Sequence, residues 1–164
     1  MTRDTLQSSA ISGSAGLSRC GRYRYWLRRS WDPALPQCGF IGLNPSTADA
    51  QLDDPTLRRC IGFAKQWGYG SLLLVNLFAW RATDPRDLLR AEDPVGTQTD
   101  LWLRRATQES VRVIAAWGNG GQLCDRGRTV SKRFDSLYCL GITALGMPRH
   151  PLYCRADTTP IPLQ

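Results

Sequence analysis

The chain has 164 residues, of which 42% are apolar and 21% charged. That length suits one domain, and that composition excludes a chain disordered over most of its length. The net charge is +7, which favours polyanionic partners such as nucleic acid or phosphorylated small molecules. Lys65 and Lys132 are the only lysines. The arginine excess is also what a GC-rich genome produces, so charge alone does not decide the partner.

Residues 1–20 are rich in Ser and Gly and read as a flexible N-terminal arm. They contain no apolar core that would serve as a secretory signal. No window approaches the ~20 apolar residues of a membrane helix. The expected setting is the cytoplasm, with no membrane partner.

Residues 22–30 alternate well enough for a strand. Arg22, Arg24, Arg28 and Arg29 are interleaved there with Tyr23, Tyr25 and Trp26. Such a cluster can clamp phosphates and stack bases. It can equally be the polar face of an edge strand. Trp31–Gln37 holds two prolines and reads as a turn. Cys38–Leu43 is a buried strand that enters a loop at Asn44-Pro45.

Asp54 then suits a helix N-cap, Pro55 the first helical position and Gly68 the stop. Leu57, Cys60, Ile61, Ala64 and Trp67 recur at helical spacing between them. Ser71–Leu77 is a second buried strand. Asp84-Pro85 opens a short helix, and Asp93-Pro94 opens a longer one through Leu101, Leu103 and Ala106. Val111–Trp117 is a third strand, followed by the flexible loop Gly118–Gly121. Residues 123–135 suit a helix, and Leu137–Leu140 a fourth strand. A stiff loop, Gly146–Pro151, follows. Residues 21–155 make a single domain, and 156–164 a C-terminal tail. Apolar strands alternating with helices predict an α/β sandwich around a mainly parallel sheet.

In such sheets the ligand crevice lies at the carboxyl ends of the strands. The unusual polar residues fall there. The first loop offers Gly42, Asn44, Pro45, Ser46, Thr47 and Asp49. Gly42 allows close approach of a ligand, Asn44 could position a water, and Asp49 could act as a base. A capping loop that only reverses the chain is the plain alternative. Asn76 interrupts an apolar run; an amide there must find partners, and its paired donor and acceptor match a nucleobase edge. Arg81 and Asn119 follow the second and third strands. His150, the only histidine, follows the fourth beside Arg149. Histidine can donate to a developing anion, and arginine can hold a phosphate.

No G-x-S-x-G elbow, phosphate loop or dinucleotide fingerprint is present. The six cysteines include no C-x-x-C pair, so no metal and no cofactor is expected, and the thiols read as reduced and mostly buried.

The set F-I-G-L-N-P-S-T-A-D-A, D-D-P-T-L-R-R-C, L-L-L-V-N-L-F-A-W-R-A-T-D-P, A-A-W-G-N and M-P-R-H-P-L resembles a bacterial and phage family, the domain of unknown function numbered 1643. A more distant resemblance is to the uracil-DNA glycosylase superfamily. Gly42-Leu43-Asn44-Pro45 is similar to its water-positioning loop, Leu72–Asn76 to the strand whose Asn reads the uracil edge, and His150-Pro151 to the loop that stabilises the leaving base. That resemblance implies a three-layer α/β/α sandwich with a mainly parallel four-stranded central sheet. It implies Asn44 as water positioner, Asn76 as base reader and His150 as stabiliser of the departing base, with DNA or a nucleotide as partner. The chain departs from the superfamily in having Ser46 where Gly follows Asn-Pro, and Leu152-Tyr153 where Ser-Pro follows His-Pro. Phe78, Trp80 and Trp117 stand by position as aromatics to stack on a base. Two functions follow: a glycosylase-like hydrolase, or a nucleotide or nucleic-acid binding protein without that chemistry on the same fold.

Overall fold

The computed structural model describes residues 10–164. One sheet of seven strands organises them, in the order β1-β2-β4-β3-β5-β6-β7. The strands are β1 (Ser12–Leu17), β2 (Arg24–Ser30), β3 (Gln37–Gly42), β4 (Ser71–Asn76), β5 (Arg112–Ala115), β6 (Leu137–Cys139) and β7 (Ile161–Pro162). The four central strands β4, β3, β5 and β6 run parallel. β1, β2 and β7 extend the sheet antiparallel at its two sides. The sheet is therefore mixed and seven-stranded rather than four-stranded, and the expected parallel strands form its centre.

The central strands are apolar because both of their faces are covered. On one face, Phe40, Leu72, Leu74 and Ile114 pack with Leu57, Cys60, Ile61 and Ala64 of helix α1 (Pro55–Gln66). On the other, Ile41, Leu73, Val75 and Val113 pack with Leu103 and Ala106 of α2 (Thr99–Glu109) and Val130 of α3 (Arg126–Arg133). Strand β3 is followed by β4 on one side and bordered by β5 on the other. The chain reverses direction across the sheet at this point, and the covering helix changes face with it.

Helix α1 starts and stops where its sequence predicts. The Asp54 carboxylate accepts from Leu57 N at 2.8 Å, and Gly68, at φ +85°, ends it. Helix α2 begins at Thr99, not at Asp93-Pro94. The Asp93 carboxylate instead accepts from Val95 and Gly96 N, an Asx turn that uses the cap before any helix can form. The helix expected over 123–135 is cut to α3, because Cys124 and Asp125 sit at φ +53° and +52°. The Gly118–Gly121 loop is wound into 3-10 turns, with a kink at Leu123 and Cys124 before α3.

Residues 12–17, expected in a flexible arm, form β1 and pair with β2. Their small side chains serve close approach: a Cβ on Gly16 would lie 2.0 Å from Trp26 Nε1. Residues 1–9 of that expected arm lie outside the described residues. β2 is consequently an inner strand, not an edge. Four cysteines are buried, and Cys20 and Cys124 are exposed. No helix among the described residues is long and apolar enough to cross a membrane.

Candidate active site

The carboxyl ends of the parallel strands open into a cleft of about 990 Å3. It sits where β3 and β5 lead their chains apart, the place where doubly wound sheets bind ligands. Gly42, Asn44, Ser46, Asn76, Asn119, Arg149 and His150 all line it. Sequence reasoning therefore brings seven of its eleven site residues to one place. Pro45, Thr47, Asp49 and Arg81 are not in the lining.

The loops after β3 and β4 run together past the strand ends. Leu77 N donates to Gly42 O at 2.9 Å, Phe78 N to Leu43 O at 3.0 Å, and Ala82 N to Pro45 O at 3.0 Å. Pro45 thus serves the loop with its carbonyl. Asn44 Nδ2 donates to Ala82 O at 2.8 Å and to Pro45 O at 3.0 Å. Both partners are acceptors, so the amide orientation is fixed. Its Oδ1 makes no hydrogen bond among the described residues and remains as the acceptor offered to the cleft.

Gly42 and Asn76 are register partners on β3 and β4. A Cβ on Gly42 would stand 2.7 Å from Asn76 Oδ1. Glycine is needed there to admit the Asn76 amide. Asn76 is buried, and its Nδ2 has no partner. A buried donor without an acceptor costs ~1–3 kcal/mol.

His150 caps the 3-10 turn Pro151–Tyr153, with its Nδ1 accepting from Leu152 N at 3.2 Å. A ring that accepts at Nδ1 carries its proton on Nε2 when neutral. Burial lowers its pKa, while the nearby Asp54 acts in the opposite sense. The imidazole is thus a neutral Nε2–H donor at pH 7. Gly118 N donates to Pro148 O at 2.9 Å and ties this loop to the end of β5. Asn119 Oδ1 accepts from Thr143 Oγ1 at 2.6 Å, so that amide braces two lining loops. Arg149 is exposed and its side chain makes no hydrogen bond among the described residues.

Asp49 is not positioned as a base for this cleft. Its carboxylate accepts from Gln51 and Leu52 N at 2.8 and 2.7 Å, and these bonds hold its pKa below the usual carboxylate value. Asp54 is the carboxylate of the lining. Arg81 donates from Nη1 to Gly21 O at 3.1 Å. Thr47 is exposed. Of the expected aromatics, Trp117 and Phe78 are both fully buried in the core, Trp117 at the edge of the cleft, and Trp80 stacks edge-on against Tyr23. Tyr153, 82% exposed and 5.9 Å from the His150 ring, stands at the rim.

Arg24 belongs to the arginine cluster that the sequence offered either as a phosphate clamp or as strand-face polarity. It lines the cleft yet is only 2% exposed. β2 runs antiparallel to β4 with Leu27 opposite Leu74. The start of β2 therefore lies beside the end of β4, and Arg24 arrives at the carboxyl edge of the parallel strands. Its Nη1 donates to Ala48 O at 2.5 Å, and its Nε is buried without a partner. Burial pulls its pKa down to about 10, with Asp54 opposing. The guanidinium remains charged at neutral pH.

These features define a doubly wound α/β protein with a ligand cleft at its switch point. The chain belongs to the family described as "Protein of unknown function (DUF1643)", whose model matches residues 24–152. That span begins at Arg24 and contains the whole of the lining but Tyr153. No curated protein and no solved structure matches the chain.

Proposed function

We propose that the chain is a nucleobase-binding, glycosylase-like hydrolase that cleaves the N-glycosidic bond of a base in DNA or in a nucleotide. The observation that carries this reading is the meeting of Asn44, Asn76 and His150 in one cleft. Asn76 Nδ2 donates to an acceptor on the base edge. Asn44 Oδ1 accepts from a water and places it. The water oxygen bonds to the sugar C1′ as the C1′–N bond breaks, and the bond pair leaves on the base. His150 Nε2–H donates to that departing anion. Asp54, rather than Asp49, is the carboxylate placed to take the water's proton. The four-stranded parallel centre with helices on both faces accords with the glycosylase resemblance. Extruding a base from a duplex costs a few kcal/mol, least at damaged sites, and the basic surface supports a DNA partner.

One observation favours the second reading, a binding protein without this chemistry. The Asn44 amide nitrogen holds Ala82 O and Pro45 O, so the residue has a structural task as well. The test is base release from oligonucleotides carrying deaminated, oxidised, alkylated and hypermodified bases. Release by the wild type, lost in both Asn44→Ala and His150→Ala, is the expected result. Release that survives in both variants rejects the assigned roles, and no release from any substrate with binding intact selects the second reading.

A further inference from the structure

Arg29 and Arg126, like Arg24, are buried arginines. Arg29 donates to Asp53 and to three backbone carbonyls. Arg126 donates to Leu77 O and to Asp100. Arg24 has neither kind of saturation. Its one hydrogen bond goes to Ala48 O, and no carboxylate lies within ion-pair distance of it among the described residues. Asp54 influences it from farther away, while Arg81 and Arg29 add like charge. A guanidinium taken out of water is costly unless an anion pairs with it. Asn76, in the same lining, has a buried Nδ2 in the same unpartnered condition.

We propose that Arg24 and Asn76 form a subsite for an anionic oxygen group of the ligand, a carboxylate or a phosphate, at the buried end of the cleft. The inference rests on the reading that this cleft takes a nucleobase or nucleotide, and it adds what that ligand must carry. The planar guanidinium fork suits a two-oxygen anion, and the Asn76 amide adds a neutral donor in the same lining. The exposed residues Arg149, Leu152 and Tyr153 mark the mouth of the cleft. A base that enters first brings an acidic ring substituent to Arg24. A free nucleotide that enters phosphate-first brings its phosphate.

The two sources are separated by calorimetric titration of the full chain with uridine, 5-carboxyuridine and uridine 5′-monophosphate. Wild type is compared with Arg24→Met and with Arg24→Gln, which retains a donor for Ala48 O. One anionic ligand should bind wild type roughly 10- to 100-fold more tightly than uridine. Which one does so identifies the source. Both variants should lose that advantage over uridine and unfold no earlier than wild type in a ligand-free thermal melt. Three results overturn the subsite: neither anion binds better than uridine, the advantage survives in both variants, or both variants fail to fold. The hydrolase reading fails separately, through absence of base release while the anion preference and its dependence on Arg24 stand.

Discussion

Arg24 and Arg29 lie five residues apart on one strand, at 2% and 3% exposure. Their surroundings differ completely. Arg29 spends its donors on Asp53 and on the carbonyls of Arg28, Asp49 and Leu52, and so fastens the segment before α1 to the sheet. Arg24 keeps most of its donors unspent at the edge of a cleft. Burial alone does not separate a structural cation from a binding one. The count of acceptors around it does, because a fold gains nothing by leaving a buried donor unmet.

The largest expected effect tests that contrast directly. Arg29→Met leaves Asp53 and three carbonyls without their donor, and should cost ~3–5 kcal/mol of unfolding free energy. Arg24→Met removes a buried charge that has no carboxylate partner and gives up one hydrogen bond to Ala48 O, and should change stability by less than ~1 kcal/mol or raise it. Urea denaturation of both variants beside wild type measures the difference. Equal losses would show that Arg24 is as structural as Arg29, and the comparison would collapse.

Next in size is the effect of crowding the amide that shares the cleft with Arg24. Gly42→Ala places a methyl 2.7 Å from Asn76 Oδ1. The strand pair is buried and cannot relax freely, so the variant should lose ~1–3 kcal/mol. It should also lose affinity for any ligand read by Asn76. A variant that is destabilised but binds as wild type does would remove Asn76 from the ligand contacts. Asn44→Ala should follow at ~1–2 kcal/mol, from the loss of two hydrogen bonds to Ala82 O and Pro45 O. Its base release should fall far more than its stability does.

Much of the fold was legible because local signals and burial agree. Asp54-Pro55 and Gly68 bracket α1, and the apolar runs 38–43, 71–77 and 111–117 became β3, β4 and β5. The seven lining residues were legible for one reason: parallel strands place all their carboxyl ends on one side. What failed had no local signature. Ser12–Leu17 has the composition of a linker, and its strand state comes from pairing with β2 against Trp26. Asp49 and Asp54 are both acidic residues near one loop, and only the tertiary path decides which faces the cleft. Arg24 was read either as part of a phosphate-clamping cluster or as strand-face polarity. It reaches the site because an antiparallel strand begins where its parallel neighbour ends, and alternation within nine residues carries no record of that pairing.

His150 extends the comparison to a group held halfway between the two arginines, with Nδ1 satisfied by Leu152 N and Nε2 left for the cleft. Burial keeps its folded pKa below the ordinary histidine value. Above ~pH 6.5 the ring is neutral in both folded and unfolded chains and adds no pH dependence. As the pH falls through that value, the unfolded chain takes up the proton and the folded chain resists it. Wild-type stability should therefore decline on acidification, until the folded ring also protonates. A proton on Nδ1 would also displace the Leu152 N–H, which adds to the resistance. His150→Gln has no such group, so the stability difference between wild type and variant should shift against wild type from pH 7.5 to 5.5. This is the smallest of the effects argued here, and urea titrations at three pH values resolve it. A constant difference would mean that the ring titrates as it does in water. The cleft would then not hold it neutral, and the assignment of Nε2–H as the donor to a departing base would lose its physical ground.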